Sequence, residues 1–301
     1  MLEVIIIFAL FATVFPIGKM SLLYVQPIFL TSIRMICAGI ILLAYHRWST
    51  TTRVRVTPHL VCKLFLLAVL NIYLTNVPEF WGLQYLTAAK ACFIYNLSPF
   101  VSAIVSYFVF REIMTIRKLI GLLIGFGGFL PILLSESTTE IALGGIGFLS
   151  WAELALIVAA TSTVIGWITM RSVVQEGVSV LYANGWSMLI GGLFALITSY
   201  QVEVWDPYPF TNLMVSLGYM TILMLISNIV CYNIYGHLLK RYTATFLTFA
   251  GFTSPLWAAL YGWFFLSEPI SGGFVFSCLA VFIGLYIFFS EEIRLGYVRH
   301  H

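Results

Sequence analysis

Three charged side chains lie inside long apolar stretches of this chain: Lys19, Arg34 and Glu79. A charge within a hydrocarbon layer is costly, so each of these residues marks a candidate functional site. A rise of about 1.5 Å per residue places all three near one level of consecutive predicted helices. Glu79 could therefore neutralise one of the two cations, and the remaining cation could meet a substrate carboxylate.

Each charge also has a purely structural interpretation. Arg34 and Glu79 could form an ion pair that holds helices together, and Lys19 could extend to the membrane interface. Glu79 follows Pro78, which lacks an N–H group and must free a backbone carbonyl. A partly desolvated carboxylate at such a point can take up a proton. Glu79 is therefore the first candidate for proton coupling.

Amide and aromatic side chains recur in four of the apolar stretches. Tyr and Trp combine flat apolar area with one polar atom, which suits amphipathic or cationic ligands. The same side chains could instead bond or pack neighbouring helices. The candidates for lining a cavity are Asn76, Trp81, Tyr95, Asn96, Asn228, Tyr232, Trp257 and Tyr261.

The chain contains a long internal repeat. TAAKACFIYNLSPFVSAIVSYFVFRE, from Thr87, aligns with TATFLTFAGFTSPLWAALYGWFFLSE, from Thr243, at an offset of 156 residues. Pro99 and Pro255 occupy equivalent positions and should break their helices near the middle. Self-similarity on this scale indicates two copies of one structural unit. A helix that is broken in mid-membrane points to a binding site.

The composition predicts a membrane protein. Hydrophobic residues make up 61% of the chain and charged residues 9%, whereas a soluble domain carries about 25% charged residues. The chain is long enough for about ten helices of roughly 20 residues. The apolar runs lie near residues 3–23, 28–46, 62–83, 88–110, 116–134, 150–170, 178–200, 212–236, 244–266 and 271–290.

The basic residues predict the orientation. Twelve fall in connections on the side that holds both termini, and only Lys90 falls on the other side. The positive-inside rule then places both termini in the cytoplasm, for a multi-pass protein of the cell inner (cytoplasmic) membrane. Five helices per copy is an odd number, so the second copy must enter the bilayer upside down. We expect repeats at residues 1–135 and 147–290, followed by a cytoplasmic tail at 291–301.

Neither a metal site nor a cofactor is indicated. The five cysteines form no C-x-x-C pair, and the net charge of +3 lies in the connections, with no sign of nucleic-acid binding. HExxH, GxSxG and paired Asp motifs are absent from the sequence, which disfavours an enzyme. No GxxxxGK[ST] phosphate loop is present. Transport would therefore be driven by a gradient or by exchange.

These features resemble the EamA-like members of the drug/metabolite transporter superfamily. The matching segments are FPIGK, RMICAGIILL, the two aligned segments above, IGLLIGFGGFL and VFIGLYIFF. The resemblance implies an all-α polytopic membrane protein with ten transmembrane helices, arranged as two inverted five-helix repeats around a central cavity. It also implies substrates among small metabolites, often amino acids.

We therefore predict a secondary active transporter of small organic metabolites, with amino acids or related compounds as the first choice and alternating access as the mechanism. Its partners would be the lipid bilayer, a small-molecule substrate and, as a candidate coupling ion, the proton. It would act as a monomer or homodimer. The alternative within this class is an exchanger of a larger zwitterionic or nucleoside-type metabolite such as S-adenosylmethionine. The alternatives from other classes are a non-transporting membrane receptor and an intramembrane enzyme.

Overall fold

A computed structural model shows a helical molecule, with one short hairpin before the second half. It describes residues 2–49, 56–86, 88–95, 98–111, 113–127, 143–146, 149–266 and 273–296. The helices of the first half are α1 Leu2–Ser21, α2 Pro27–Ser49, α3 Pro58–Leu67, α4 Leu74–Leu83, α5 Ala88–Tyr95, α6 Ser98–Phe110 and α7 Ile116–Gly127. A π-helical turn, Ala68–Tyr73, joins α3 to α4 and is called the first π segment.

The second half repeats this order of elements. Strands β1 Gly145–Ile146 and β2 Leu149–Ser150 form an antiparallel pair before it. Its helices are α8 Trp151–Gln175, α9 Val180–Val202, α10 Leu213–Leu223, α11 Tyr232–Leu238, α12 Ala244–Ala250, α13 Ser254–Leu266 and α14 Gly273–Arg294. The second π segment, Met224–Cys231, joins α10 to α11, and a 3-10 turn, Gly251–Thr253, joins α12 to α13.

Six continuous helices within the described residues are long and apolar enough to cross a membrane. Their bounds are Glu3–Ser21, Pro27–Ser49, Pro58–Leu83, Trp151–Gln175, Val180–Val202 and Leu213–Leu238. Each lies within five residues of a predicted run. The other four predicted runs correspond to α5 with α6, to α7, to α12 with α13, and to α14. The fourth and ninth runs are each divided into two shorter helices.

Side-chain caps explain where several helices begin. The Thr57 hydroxyl accepts a hydrogen bond from the Leu60 N–H, and Pro58 takes the first helical position of α3. Ser150 and Glu153 form a reciprocal capping box at the start of α8. Thr243 caps α12 in the same way as Thr57 caps α3. Each cap satisfies a backbone donor that has no partner within the helix.

Equivalent helices of the two halves have matching lengths. The helices α2 and α9 each span 23 residues, and α6 and α13 each span 13. The two long helices that contain the π segments each span 26 residues. The repeat seen in the sequence therefore reappears as a repeat of secondary structure.

The equivalent helices α2 and α9 pack closely against each other. A Cβ atom on Gly39 would lie 2.7 Å from the backbone nitrogen of Leu189, so only glycine fits there. Gly192 of α9 lies against Ile36 of α2, and Gly185 of α9 lies against Leu43 of α2. Residue numbers thus rise along α2 as they fall along α9, and the two helices are antiparallel.

The equivalent helices α7 and α14 are also antiparallel. Gly121 lies against Gly284 and Phe288, and Lys118, one turn earlier on α7, pairs with Glu292 on α14. Both members of this ion pair are almost completely buried. The Glu292 carboxylate also accepts a 2.6 Å hydrogen bond from the Thr243 hydroxyl, which caps α12. The ion pair therefore connects three helices.

The Glu203 carboxylate joins the two halves at the N-terminal end of α2. Glu203 follows the last residue of α9, and its oxygens accept hydrogen bonds from the backbone N–H groups of Ile28 (2.6 Å) and Phe29 (2.8 Å). It therefore caps the N-terminus of α2, where a negative charge is favoured. An isolated bridge between Val25 and Phe210 lies next to this contact.

Candidate functional site

A cavity lies between the two halves of the chain. Its walls come from α1, α4, α5 and α6 of the first half and from α8, the second π segment, α11, α12 and α13 of the second. Most lining residues fall into three groups. Asn76 and Glu79 supply an amide and a carboxylate, seven aromatic rings form the largest group, and six small hydroxyl side chains form the third. Val14, Cys92 and Gly251 complete the lining.

Glu79 is the acidic residue that lines this cavity. It is buried, with 8% of its surface exposed. The Tyr95 hydroxyl donates a 2.8 Å hydrogen bond to Glu79 Oε2. This bond uses one of the two carboxylate oxygens. Glu79 and Tyr95, which were predicted separately as site residues, are therefore brought together by α4 and α5. The carboxylate can face a cationic ligand group or accept a proton.

Arg34 lies behind the cavity wall rather than in it. Its Nη2 donates a 2.8 Å hydrogen bond to Asn76 Oδ1, and its guanidinium lies 4.2 Å from the centre of the Phe80 ring. Nε and Nη1 are buried without a hydrogen-bond partner. Arg34 and Glu79 interact electrostatically, but no N–O distance of 4 Å or less joins these two described residues.

Asn76 connects Arg34 to the cavity. Its Nδ2 donates to the Ile72 carbonyl at 2.9 Å and to the Tyr232 hydroxyl at 3.2 Å. The amide thus links α2, α4 and α11. Arg34 is not among the cavity-lining residues and is connected to the cavity through Asn76, so its predicted contact with a substrate carboxylate stays a prediction.

Aromatic rings from four helices form the largest group of lining residues. The rings of Trp167 and Tyr235 have centroids 4.2 Å apart, and those of Trp167 and Tyr232 are 5.1 Å apart. Phe15 meets Tyr95 edge to face at 6.0 Å. We call this set the aromatic cluster, and its members are Phe8, Phe11, Phe15, Tyr95, Trp167, Tyr232 and Tyr235. Such a surface suits flat rings and cations.

The divided helices bring small hydroxyl groups to the cavity. Ser98 and Ser254 begin α6 and α13 at equivalent positions and both line the cavity. Pro99 and Pro255 are therefore the second residues of these helices. Proline is accommodated in a first helical turn because its missing N–H has no partner there. The prolines thus stand where the second half of each divided helix starts.

The two π segments explain how amide side chains are placed near the cavity. In the first half, Asn76 Nδ2 contacts the Asn71 and Ile72 carbonyls; in the second half, Asn233 Nδ2 contacts the Asn228 and Ile229 carbonyls. A π turn leaves carbonyl groups out of the regular helical pattern. The equivalent asparagines satisfy them. The N-x4-N spacing in both halves was the sequence signal for this feature.

Several predicted residues lie outside the cavity lining. Asn228, within the second π segment, donates to the sulfur of Met35 at 3.1 Å. Trp81 contacts Tyr85. Tyr261 donates to the Ala9 carbonyl and stacks near Trp257, and Lys19 donates to the Leu86 carbonyl.

Other predicted positions fall on parts that the structure does not describe. Asn96 lies outside the described residues, as do the repeat-ending Glu112 and Glu268. The backbone of Lys90 and Pro255 is described, but their side chains are not.

Two helices that line the cavity, α1 and α8, were not predicted from the sequence to do so. Phe8, Phe11 and Phe15 project from α1, and Thr163 and Trp167 project from α8. The phenylalanines follow a spacing of three and four residues, which places them on one helical face. That spacing is equally typical of a packed core, so the sequence alone could not distinguish the two roles.

The comparisons with known proteins define the class of protein. The EamA-like transporter family matches residues 1–134 and 150–290. The chain therefore belongs to the EamA-like transporter family, which confirms the predicted resemblance. A solved crystal structure with a TM-score of 0.74 covers 98% of this chain and 96% of its own, at 17% identity. At that identity the likeness concerns the fold alone.

Two curated relatives have names that state the compounds they transport. A protein of Chlamydia muridarum named as an S-adenosylmethionine/S-adenosylhomocysteine transporter is 37% identical over 289 residues, covering 94% of this chain and 89% of the relative. A protein with the same name from Chlamydia trachomatis serovar L2 is 36% identical over 286 residues, covering 94% and 87%. Family and relatives are transporters, as predicted, rather than enzymes. Their names match the alternative prediction, an exchanger of a larger metabolite such as S-adenosylmethionine, better than the prediction of an amino-acid transporter.

Proposed function

We propose that this protein carries S-adenosylmethionine and S-adenosylhomocysteine across a membrane by exchange. The observation that supports this most directly is the cavity itself, in which the Glu79 carboxylate stands among aromatic rings. S-adenosylmethionine combines an adenine ring, a sulfonium cation and an amino-acid group. The names of the two chlamydial relatives point to the same compounds.

Each part of such a substrate has a chemical counterpart in the cavity. The adenine ring can stack on the aromatic cluster, where Trp167 and Tyr235 offer the largest flat surface. A sulfonium cation is attracted both to ring faces and to the carboxylate of Glu79. Ser98, Ser254 and Thr248 can bond the ribose hydroxyls and the amino-acid group. The proposed binding residues include Asn76, Glu79, Tyr95 and Tyr232 from the sequence prediction.

The proposed architecture is a ten-helix inverted repeat with units at residues 1–135 and 147–290 and a tail at 291–301. Two observations support it. The equivalent helices α2 and α9 pack antiparallel through Gly39 and Gly192, and α7 and α14 pack antiparallel through Gly121. Helices related by an in-plane two-fold axis must run in opposite directions. The distribution of basic residues supports cytoplasmic termini and a location in the inner membrane.

The proposed mechanism is alternating access at the cavity between the units. Both halves line it, and each contributes one divided helix, so relative motion of the halves would open it first to one side and then to the other. Monomeric or homodimeric assembly stays a prediction.

An exchange assay tests this function. Purified protein in liposomes loaded with unlabelled S-adenosylhomocysteine should take up external labelled S-adenosylmethionine, whereas empty protein-free liposomes should not. Excess unlabelled S-adenosylmethionine outside should compete, and a panel of common amino acids should compete much less. Exchange of labelled amino acids without any exchange of the adenosyl compounds would contradict the proposal and restore the first sequence interpretation. Transport of neither class would favour a receptor.

A further inference from the structure

The two proposed substrates differ in charge at one atom. The sulfur of S-adenosylmethionine is a sulfonium cation, whereas that of S-adenosylhomocysteine is a neutral thioether, and the amino-acid groups are alike. A cavity that binds both must accept a ligand with and without this positive charge. An uncompensated charge is costly in a buried, weakly polar site. Either a group in the cavity changes its own charge between the two ligands, or the charge of one ligand is not compensated.

Glu79 is placed to make this change. Its carboxylate lines the cavity and is buried. The groups that interact with it electrostatically are Arg34 on α2, Cys92 and Tyr95 on α5, and Tyr232 on α11. Tyrosine and cysteine are neutral acids at ordinary pH, and Arg34 keeps its charge in proteins.

The remaining neighbours of α4 add no second carboxylate to the cavity. On α1, Lys19 donates to the Leu86 carbonyl, and its helix presents apolar rings to the cavity. On α8, Thr163 and Trp167 are the lining residues. Among the described lining residues, Glu79 is thus the carboxyl side chain, which can exist in an anionic or a neutral form. Arg34 interacts electrostatically with Glu79, but its direct hydrogen bond goes to Asn76.

The two halves are not equivalent at this point. The second half carries Gly236 where the alignment of the two N-x4-N spacings places the counterpart of Glu79. Asn233, the counterpart of Asn76, accepts its hydrogen bond from neutral Asn184 rather than from an arginine. Among the described residues, the second half therefore has neither a carboxylate at the position of Glu79 nor an arginine bonded to the counterpart of Asn76. A charge-specific role of the first half would require such a difference between equivalent positions.

We propose that Glu79 matches the charge of the bound substrate: it is ionised when the sulfonium compound is bound and protonated when the thioether is bound. This inference rests on the proposed function. In one exchange, S-adenosylmethionine crosses with anionic Glu79, and S-adenosylhomocysteine crosses in the other direction with a proton on a Glu79 oxygen. The proton is taken up where the thioether binds and released where it leaves. One positive charge moves each way, so the exchange is electrically silent.

Proton movement in the wild-type protein is the first test. Liposomes that exchange internal S-adenosylhomocysteine for external S-adenosylmethionine should lose about one internal proton per exchange, as reported by an internal pH dye. Clamping the membrane potential with potassium and valinomycin should leave the rate unchanged. Exchange of S-adenosylmethionine for itself should move no protons. A heteroexchange that moves no proton and follows the potential would overturn the inference while leaving the transport function intact.

Two variants provide the second test. Glu79→Gln fixes the neutral form, so exchange of S-adenosylhomocysteine for itself should persist while exchange of S-adenosylmethionine falls about 30-fold or more, the scale expected on truncating a buried charge partner. Tyr95→Phe keeps the carboxylate but removes its hydrogen bond. Tyr95→Phe should move the half-maximal pH for S-adenosylmethionine uptake upward, whatever its effect on the maximal rate, because the hydroxyl favours the ionised form.

The outcomes separate the two proposals. Full S-adenosylmethionine exchange by Glu79→Gln would overturn the role of Glu79 and leave the transport function standing. If Glu79→Gln does not fold, the wild-type proton count decides alone. A wild-type protein that exchanges neither adenosyl compound would overturn the proposed function, and the inference with it.

Discussion

The buried Arg34 guanidinium donates a 2.8 Å hydrogen bond to Asn76 Oδ1, and Asn76 in turn lines the cavity. The cation therefore acts on the cavity through an amide that it orients. Asn233 occupies the equivalent place in the second half and makes the same contacts to its own π segment. The chain thus contains two equivalent asparagines, of which Asn76 has a charged partner and Asn233 a neutral one.

Replacing these two asparagines should have unequal effects on stability. Asn76→Ala removes the hydrogen bond to a charged guanidinium, worth about 1.5–3 kcal/mol, whereas Asn233→Ala removes one to a neutral amide, worth about 0.5–1.5 kcal/mol. Each variant also loses its bonds to π-segment carbonyls, which cancel in the comparison, and Asn76→Ala alone also loses a bond to the Tyr232 hydroxyl, which adds to the difference. Thermal unfolding in detergent should therefore show a larger drop in Tm for Asn76→Ala. Equal drops would mean that the bond from Arg34 contributes nothing net.

Trp167 should distinguish a cationic ligand from a neutral one. Its ring belongs to the aromatic cluster and is 5% exposed, so Trp167→Leu removes a face over which a sulfonium can lie. A cation–π contact is worth about 0.5–2 kcal/mol. Calorimetric titration should show that S-adenosylmethionine loses more affinity than S-adenosylhomocysteine. The matched control is Trp186→Leu, a partly exposed position on α9 that does not line the cavity, which should leave both affinities unchanged.

Gly39 should be intolerant of a single added methyl group. A Cβ there would lie 2.7 Å from the Leu189 nitrogen and 2.8 Å from the Gly185 oxygen. Both are backbone atoms that cannot rotate away, so Gly39→Ala must move α2 from α9, at a cost of about 1–3 kcal/mol. Gly218→Ala, in α10, meets nothing within 4 Å and should be neutral or slightly stabilising. Similar Tm values for the two variants would contradict the close packing of α2 on α9.

The Lys118–Glu292 pair should be sensitive to removal of either partner. Lys118→Met removes a buried cation from the Glu292 carboxylate, and breaking a buried pair costs about 3–5 kcal/mol. The double variant Lys118→Met/Glu292→Met removes both charges and should recover much of that loss. Arg241→Met is the control, because its pair with Glu3 is largely exposed and should contribute about 0–1 kcal/mol. A double variant as unstable as the single one would refute this account.

Some features of this protein followed from the sequence alone. A chain with 61% hydrophobic residues must satisfy its backbone hydrogen bonds internally in lipid, so long helices were predictable. The offset of 156 residues between Pro99 and Pro255 predicted two equivalent units. Glu79 was predictable as a functional candidate because a charge in an apolar helix is costly whatever its neighbours are.

Other features depended on the tertiary structure. Whether Arg34 contacts a ligand, Glu79 or an amide is decided by which helix packs against α2, and the sequence does not state that. The second π segment contains Asn228, which contacts Met35 and does not line the cavity, and one inserted residue in a helical turn changes which side chains share a face. The phenylalanines of α1 and Trp167 of α8 line the cavity only because distant helices meet there. Local spacing sets which residues share a helical face, whereas contacts between helices determine what that face meets.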